Sequence, residues 1–289
     1  MGLVEQFNAL FWGWLEMLRA LRRGVALAPL LVYGAAQALV LVAVVFFAYP
    51  PFSAVVAPAL ARLFGPQALH YPNNLFVARA ALGQADLPLS VLLGPLTLGA
   101  AVVLFAAFFT GKRERVGTAF RWAGAGYPPL LAVTALTTAL SQGAARLPLM
   151  LWGHLADESP TRFRLLRLAT VAVVIAVQSL FVYAVPAVAA GRARLGAGLA
   201  GSFRLALRQP VTTYLIVAVP AALELLPAWL ARQSPVIAAR LSPEMLIAVL
   251  VLWIAVILVS GYAVAGAATR LFVHSTEDLV HGIATGRGE

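Results

Sequence analysis

Long apolar stretches constrain this chain more than any other feature. Residues 25–49 and 87–110 contain no charged side chain at all. A helix rises 1.5 Å per residue, so roughly 20 mainly apolar residues cross the hydrocarbon core of a bilayer. Six stretches meet that requirement: 25–49, 87–110, 128–151, 165–190, 211–231 and 245–269. The expected fold is an all-α polytopic membrane bundle of six transmembrane helices. A segment 1–24 precedes it, the six spans fill a membrane domain 25–273, an outer loop covers 50–86, and a tail covers 274–289. A cleaved signal peptide is not expected, because the first apolar stretch is too long for the apolar core of one.

Composition agrees. The chain is 62% hydrophobic and 11% charged, with a mean hydropathy of +0.89. Soluble domains are about half apolar and a quarter charged, which excludes an ordinary soluble enzyme. The absence of cysteine removes disulfides, thiolate metal sites and cysteine nucleophiles. The formal net charge of +10 reads as basic loops facing anionic lipid head groups. No run of basic residues interleaved with aromatics points to nucleic acid.

Orientation follows from the Lys/Arg distribution. Of 21 such residues, 13 fall with the two termini and the loops on their side, and 8 fall on the other side and its flanking helix ends. Both termini are therefore expected in the cytoplasm. Ala, Gly and Arg are abundant and Lys is nearly absent, which fits a bacterial inner membrane.

Three segments on the basic side look alike: an amphipathic stretch with basic residues, a proline, then a span. Arg19, Arg22 and Arg23 precede Pro29; Phe120-Arg121 precedes Pro128-Pro129; Phe203-Arg204 and Arg208 precede Pro210. Proline is tolerated in the first helical turn, where its missing N–H would be unpaired anyway, so each proline marks a span start. In the first segment Leu3, Phe7, Leu10, Trp14, Met17, Leu18 and Leu21 share one face at 100° per residue. Such a helix is expected to lie in the membrane interface. Leu195, Leu199, Phe203 and Leu207 give the third segment a similar stripe. The chain then reads as three units, each a surface helix plus a two-span hairpin.

The Phe-Arg-x(n)-Pro entry at Phe120-Arg121 and Phe203-Arg204 resembles a loose group of bacterial six-span proteins. That group includes the membrane domain accompanying some glycerophosphodiester phosphodiesterases. The resemblance implies a six-helix membrane domain with little assigned chemistry. The catalytic barrel of the namesakes is absent, and no catalytic residue carries over.

Glu224 is the most informative polar residue. It lies 14 positions into the fifth span, roughly 21 Å along it. An ionisable group at such depth points to function or to a partner. Arg146 and Arg167 are expected toward the same side, and a Glu224–Arg146 or Glu224–Arg167 pair would neutralise the charge. The functional reading is an ion or proton relay, or a cradle for a lipid head; the structural one is a salt bridge. Gly94-Pro95 and the prolines Pro220 and Pro227 flanking Glu224 fit either broken helices around a site or simple packing. Gln37, Gln142 and Gln178 need partners inside the bundle.

The outer loop 50–86 is too long for a plain connection and should hold structure of its own, with a short helix over 55–64 and a turn at Tyr71-Pro72-Asn73-Asn74. His154, Asp157 and Glu158 have spacing that metal ligands use, yet fit an ordinary polar loop. His274, Glu277, Asp278 and His281 are better explained by capping of a short helix, from Ser275 to Asp278, than by a metal. No metal, cofactor or catalytic residue is expected. No P-loop, Rossmann fingerprint, nucleophile elbow or HExxH motif occurs.

Three classes of function remain, in this order: a non-catalytic membrane subunit or scaffold that holds anionic lipid and partner membrane proteins, a transporter or lipid-handling protein with a site near Glu224, and a membrane-embedded lipid enzyme. The basic aromatic residues Phe7, Trp14, Arg19, Arg22, Arg23, Phe120, Arg121, Phe203 and Arg204 are expected at the membrane surface.

Overall fold

The computed structural model describes residues 2–155 and 159–284, the side chains of 277–284 excepted. Among the described residues every regular element is helical. In chain order these are α1 (Leu3–Arg22), α2 (Leu27–Val45), α3 (Phe52–Phe64), a 3-10 turn (Pro66–Leu69), α4 (Asn73–Leu92), α5 (Gly94–Phe109), α6 (Val116–Ala125) and α7 (Tyr127–Trp152). They continue with α8 (Pro160–Phe181), α9 (Ala184–Ala189), α10 (Leu195–Arg208), α11 (Pro210–Leu223), α12 (Leu225–Arg232), α13 (Ser234–Arg240) and α14 (Met245–Ala284). Five segments are long and apolar enough to cross a membrane: Leu27–Val45, Asn73–Leu92, Pro160–Ala189, Pro210–Arg232 and Met245–Thr276.

The helices differ from the expected spans at several places. Residues 73–86, assigned to the outer loop, are helical and open α4. The expected second span 87–110 is divided at Leu93, where α4 ends and the 16-residue α5 begins. The expected third span is present as the 26-residue α7. It carries Thr134, Thr137, Thr138, Gln142 and Arg146 and is not among the five.

The prolines do mark helix starts. Pro128 and Pro129 sit in the first turn of α7, and Pro210 is the first residue of α11. Three turns on the basic side, one between α1 and α2, one before α6 and one before α10, have a shared form. Gly24 has φ 65°, Gly111 φ 71° and Arg192 φ 51°. The next residue's N–H reaches back to a helix carbonyl each time: Val25 to Ala20 at 3.1 Å, Lys112 to Ala107 at 2.8 Å, Ala193 to Ala187 at 3.0 Å. This is the left-handed helix stop that consumes otherwise orphaned carbonyls.

The long α14 is the hub of the bundle, packing on α1, α2, α5, α11 and α12. Lipid tails are as apolar as leucine, so helices in a bilayer associate through small residues that allow close approach. The contacts follow that rule. A methyl group at Gly266 would come within 2.7 Å of Met17 Cγ and 3.2 Å of Phe105 Cζ. The helix α1 turns Gln6, Gly13, Met17 and Ala20 into the bundle and leaves Phe7, Phe11 and Leu18 outward. Likewise α6 buries Ala119 and Ala123, and α10 buries Gly198, Ser202 and Ala206. The core around Phe105 also takes in Ala100, Ala101, Leu130, Ala184 and Tyr262.

Long-range polar contacts fix α1. Gln6 Oε1 accepts from the Val211 N–H at 3.0 Å, and its backbone carbonyl accepts from Thr212 Oγ1 at 2.8 Å. Glu16 pairs with Arg270 of α14. Away from the membrane segments, Tyr71 donates to Glu244 Oε1 at 2.6 Å, tying the 3-10 turn region to the start of α14.

Filling the Gly266 contact with Gly266→Leu forces α1 and α14 apart. Overpacking of this kind costs about 1–3 kcal/mol, so the melting temperature in detergent is expected to fall, and an unchanged melting curve would refute the close approach. The Tyr71 hydroxyl holds the Glu244 carboxyl below the usual carboxylate range. A depressed carboxylate contributes stability that is present above its ordinary pKa and lost as pH falls through the lowered one. Tyr71→Phe is therefore expected to melt slightly earlier than the parent at neutral pH and to approach it as the pH falls through the acid range; scanning fluorimetry across that range checks the convergence.

Candidate functional site: an intramembrane cavity at Glu224

The apolar segment Pro210–Arg232 is not one continuous helix. Pro227 has no N–H, and a proline ring collides with the carbonyl four residues earlier, which here is Leu223, the last residue of α11. Glu224 occupies the joint. Its N–H turns to Ala221 at 3.2 Å, which releases the Pro220 carbonyl from the helix ladder. Ser260 of α14 takes over, donating to that carbonyl at 3.1 Å.

The Glu224 side chain lines an open cavity of about 390 Å³ bordered by α5, α7, α8, α9, α11 and α14. Leu98, Val102, Phe181, Val185 and Val217 make most of its wall apolar. Its polar groups are Thr134, Thr137, Thr138, Gln178, Glu224 and Ser260. Thr134 and Thr137 donate to Leu130 and Val133 of their own helix, at 3.0 and 2.9 Å. A hydroxyl with its proton committed offers only lone pairs. The cavity is thus weighted toward acceptors, with one carboxyl among them.

A second carboxyl lies within electrostatic range. The charge of Asp86, on α4, acts on Glu224. Asp86 Oδ1 accepts from Tyr33 Oη at 2.7 Å and from Gln37 Nε2 at 2.6 Å, both on α2. Gln37 is 1% exposed. Its Oε1 is buried with no partner among the described residues.

The arginines expected to neutralise Glu224 are elsewhere. Arg146 and Arg167 are exposed, and among the described residues neither pairs with Glu224. Arg167 instead sits 6.0 Å from the ring centre of Phe163 on its own helix. The physical reason is directional: Glu224 turns inward at a helix joint, whereas both arginines lie on the exposed surface of the paired helices α7 and α8. Gln178 lines the cavity, and Gln142 is exposed.

The expected surface residues divide. Phe7, Arg19, Arg22, Arg121, Phe203 and Arg204 are exposed. Trp14 and Phe120 pack against the core. Arg23 is exposed and lies 5.4 Å from the Phe108 ring centre. Phe203 meets Phe181 edge-on at 5.5 Å. His154 is exposed, while Asp157 and Glu158, and the side chains of Glu277, Asp278 and His281, lie outside the described residues. Among the described residues no group of three or more His, Cys, Asp or Glu is arranged to hold a metal.

Sequence reasoning missed Asp86, Tyr33, Ser260 and the threonines. Two signals were there. Asp86 is the only charge between Arg79 and Lys112, and Thr134, Thr137 and Thr138 repeat at the three- and four-residue steps of one helical face. No family model, no curated protein and no solved structure matches the chain.

Removing the Asp86 carboxyl strands two donors. Asp86→Ala leaves the buried Gln37 amide without its acceptor, at a cost of about 1–3 kcal/mol. Its melting temperature is expected to fall clearly below the parent's, and Gln37→Leu in the Asp86→Ala background is expected to recover part of the loss. Equal melting of Asp86→Ala and parent would show that the contact contributes nothing.

Proposed function

We propose that this chain is a bacterial inner-membrane carrier whose substrate site is the cavity at Glu224, and that it takes a small cationic or hydrogen-bond-donating solute. In this reading α4 with α5, and α7, join the other apolar segments to make six crossings, both termini lie in the cytoplasm, and α1, α6 and α10 are three equivalent amphipathic helices on the basic side. The Lys/Arg distribution supports that orientation, and the shared turns at Gly111 and Arg192, each leading from a span into a surface helix, support the equivalence of α6 and α10.

One observation carries the proposal: the Glu224 carboxyl lines the cavity from a helix joint, and among the described residues no arginine or lysine lines the cavity with it. A carboxyl in low dielectric must be protonated, paired or occupied. With Asp86 nearby adding negative charge, a cation or a proton is the partner that satisfies it. Half-helices meeting at a mid-membrane polar group are also the device by which carriers expose backbone and side chain to a solute.

The scaffold reading comes second. It is supported by the outward apolar residues Val4, Phe7, Phe11 and Leu18 of α1, which suit lipid or a partner membrane protein.

The test uses small ammonium ions as probes. Purified protein is titrated with tetraethylammonium and with ethanolamine, and thermal stability is followed. A ligand at a hundred times its Kd raises stability by about 2.7 kcal/mol, so an upward shift of several degrees is expected for the parent and none for Glu224→Gln. Identical responses from parent and Glu224→Gln would overturn the assignment. A Glu224→Gln protein that melts normally keeps this outcome separate from misfolding.

A further inference from the structure

A second cavity, of about 470 Å³, opens where the basic turns 110–115 and 190–194 come together. Its floor is apolar, with Val103, Ala106 and Val273, and its rim carries Lys112, Arg192 and Glu114. The rim lies where the apolar helices stop, since α5 ends at Phe109 and Ala189 ends the segment Pro160–Ala189. Lipid head groups meet a membrane-spanning helix where its apolar stretch stops.

Arg192 is held there against its backbone preference. At φ 51° it occupies the left-handed region, which disfavours any side chain with a Cβ. The matching position of the other turn that leads from a span into a surface helix is Gly111. A cost accepted at Arg192 and avoided at Gly111 points to a role for the side chain. The guanidinium lies 4.0 Å above the ring centre of Trp122. Stacking uses its face and leaves its in-plane N–H donors free to fork onto an oxyanion. Among the described residues those donors have no protein acceptor, the Lys112 ammonium has none, and neither cation pairs with Glu114.

We propose that this cavity binds a phosphate group, gripped by Arg192 and Lys112, with the apolar floor receiving the body of the ligand. The floor favours the phosphodiester of an anionic lipid over free phosphate. Both share the recognising chemistry, and the experiment separates them.

The purified full-length protein in detergent is titrated with dihexanoyl phosphatidylglycerol, with inorganic phosphate and with uncharged dihexanoylglycerol, and Kd is measured calorimetrically. The lipid phosphodiester is expected to bind and dihexanoylglycerol not to. Arg192→Gly and Lys112→Ala are each expected to weaken binding about fivefold, the effect of one cation at a membrane surface. Arg192→Gly relaxes the backbone, so its melting temperature should equal or exceed the parent's, which separates lost binding from lost folding. Inorganic phosphate binding as tightly as the lipid, with the same sensitivity to both variants, supports the phosphate site and assigns it a soluble ligand. Equal lipid affinity in parent and both variants, or equal affinity for dihexanoylglycerol, would overturn the site. So would an Arg192→Gly protein that melts early and binds normally, because Arg192 would then serve only to pack on Trp122.

Discussion

The hydrocarbon interior offers no hydrogen-bond partner to a helix that stops inside it, and this chain interrupts its apolar helices three times. Each interruption frees a carbonyl, and a side chain from a different helix claims it. At Leu93 the Leu92 carbonyl accepts from Tyr127 Oη at 2.8 Å. At Val182 the Leu180 carbonyl accepts from Ser202 Oγ at 2.7 Å. At Glu224 the Pro220 carbonyl accepts from Ser260 Oγ. The start of α11 is treated the same way, its Val211 N–H received by Gln6. The bundle's tertiary arrangement is in this sense written by its breaks: α7, α10, α14 and α1 sit where a backbone group would otherwise be left bare.

The interruptions also create the interior space. Around the central cavity stand Leu98 and Val102, soon after the Leu93 joint, then Val182 and Pro186 at the second joint, then Pro220 and Glu224 at the third. Continuous helices would close against one another on small residues, as α1 and α14 do at Gly266. Helices that step sideways leave a gap, and the gap collects the polar groups that helix interiors shed.

Much of the architecture was legible because hydropathy averaged over a span reads burial in lipid directly. The helix starts at Pro128 and Pro210 were legible for a local reason, proline's missing donor. The α4 region was not. Asn73–Leu92 has a mean hydropathy of 1.3, against 2.1 to 2.7 for Leu27–Val45, Pro160–Ala189 and Met245–Thr276. Gln84, Asp86 and Pro88 lowered that average until a helix looked like a loop. The same residues hide half of the candidate site, since Asp86 matters through its meeting with Tyr33 and Gln37, some 50 positions away. The inward face of the amphipathic helices was not legible for a related reason. Periodicity marks the large apolar side chains, and the inward face is built from Gly13, Ala20, Ala119, Ala123 and Gly198. In α1 and α10 several of the bulky residues that carried the signal, such as Phe7 and Phe203, face outward.

The docking of α1 has a consequence for how the protein is made. Its contacts are with residues 205, 206 and 254 positions further along the chain. Ribosomes add about 5–20 residues per second, so α1 waits on the order of ten seconds or more for its seat on α14. Until then its inward face of Gln6, Gly13, Met17 and Ala20 is uncovered, and the bundle is locked only once residues more than 200 positions later have joined it.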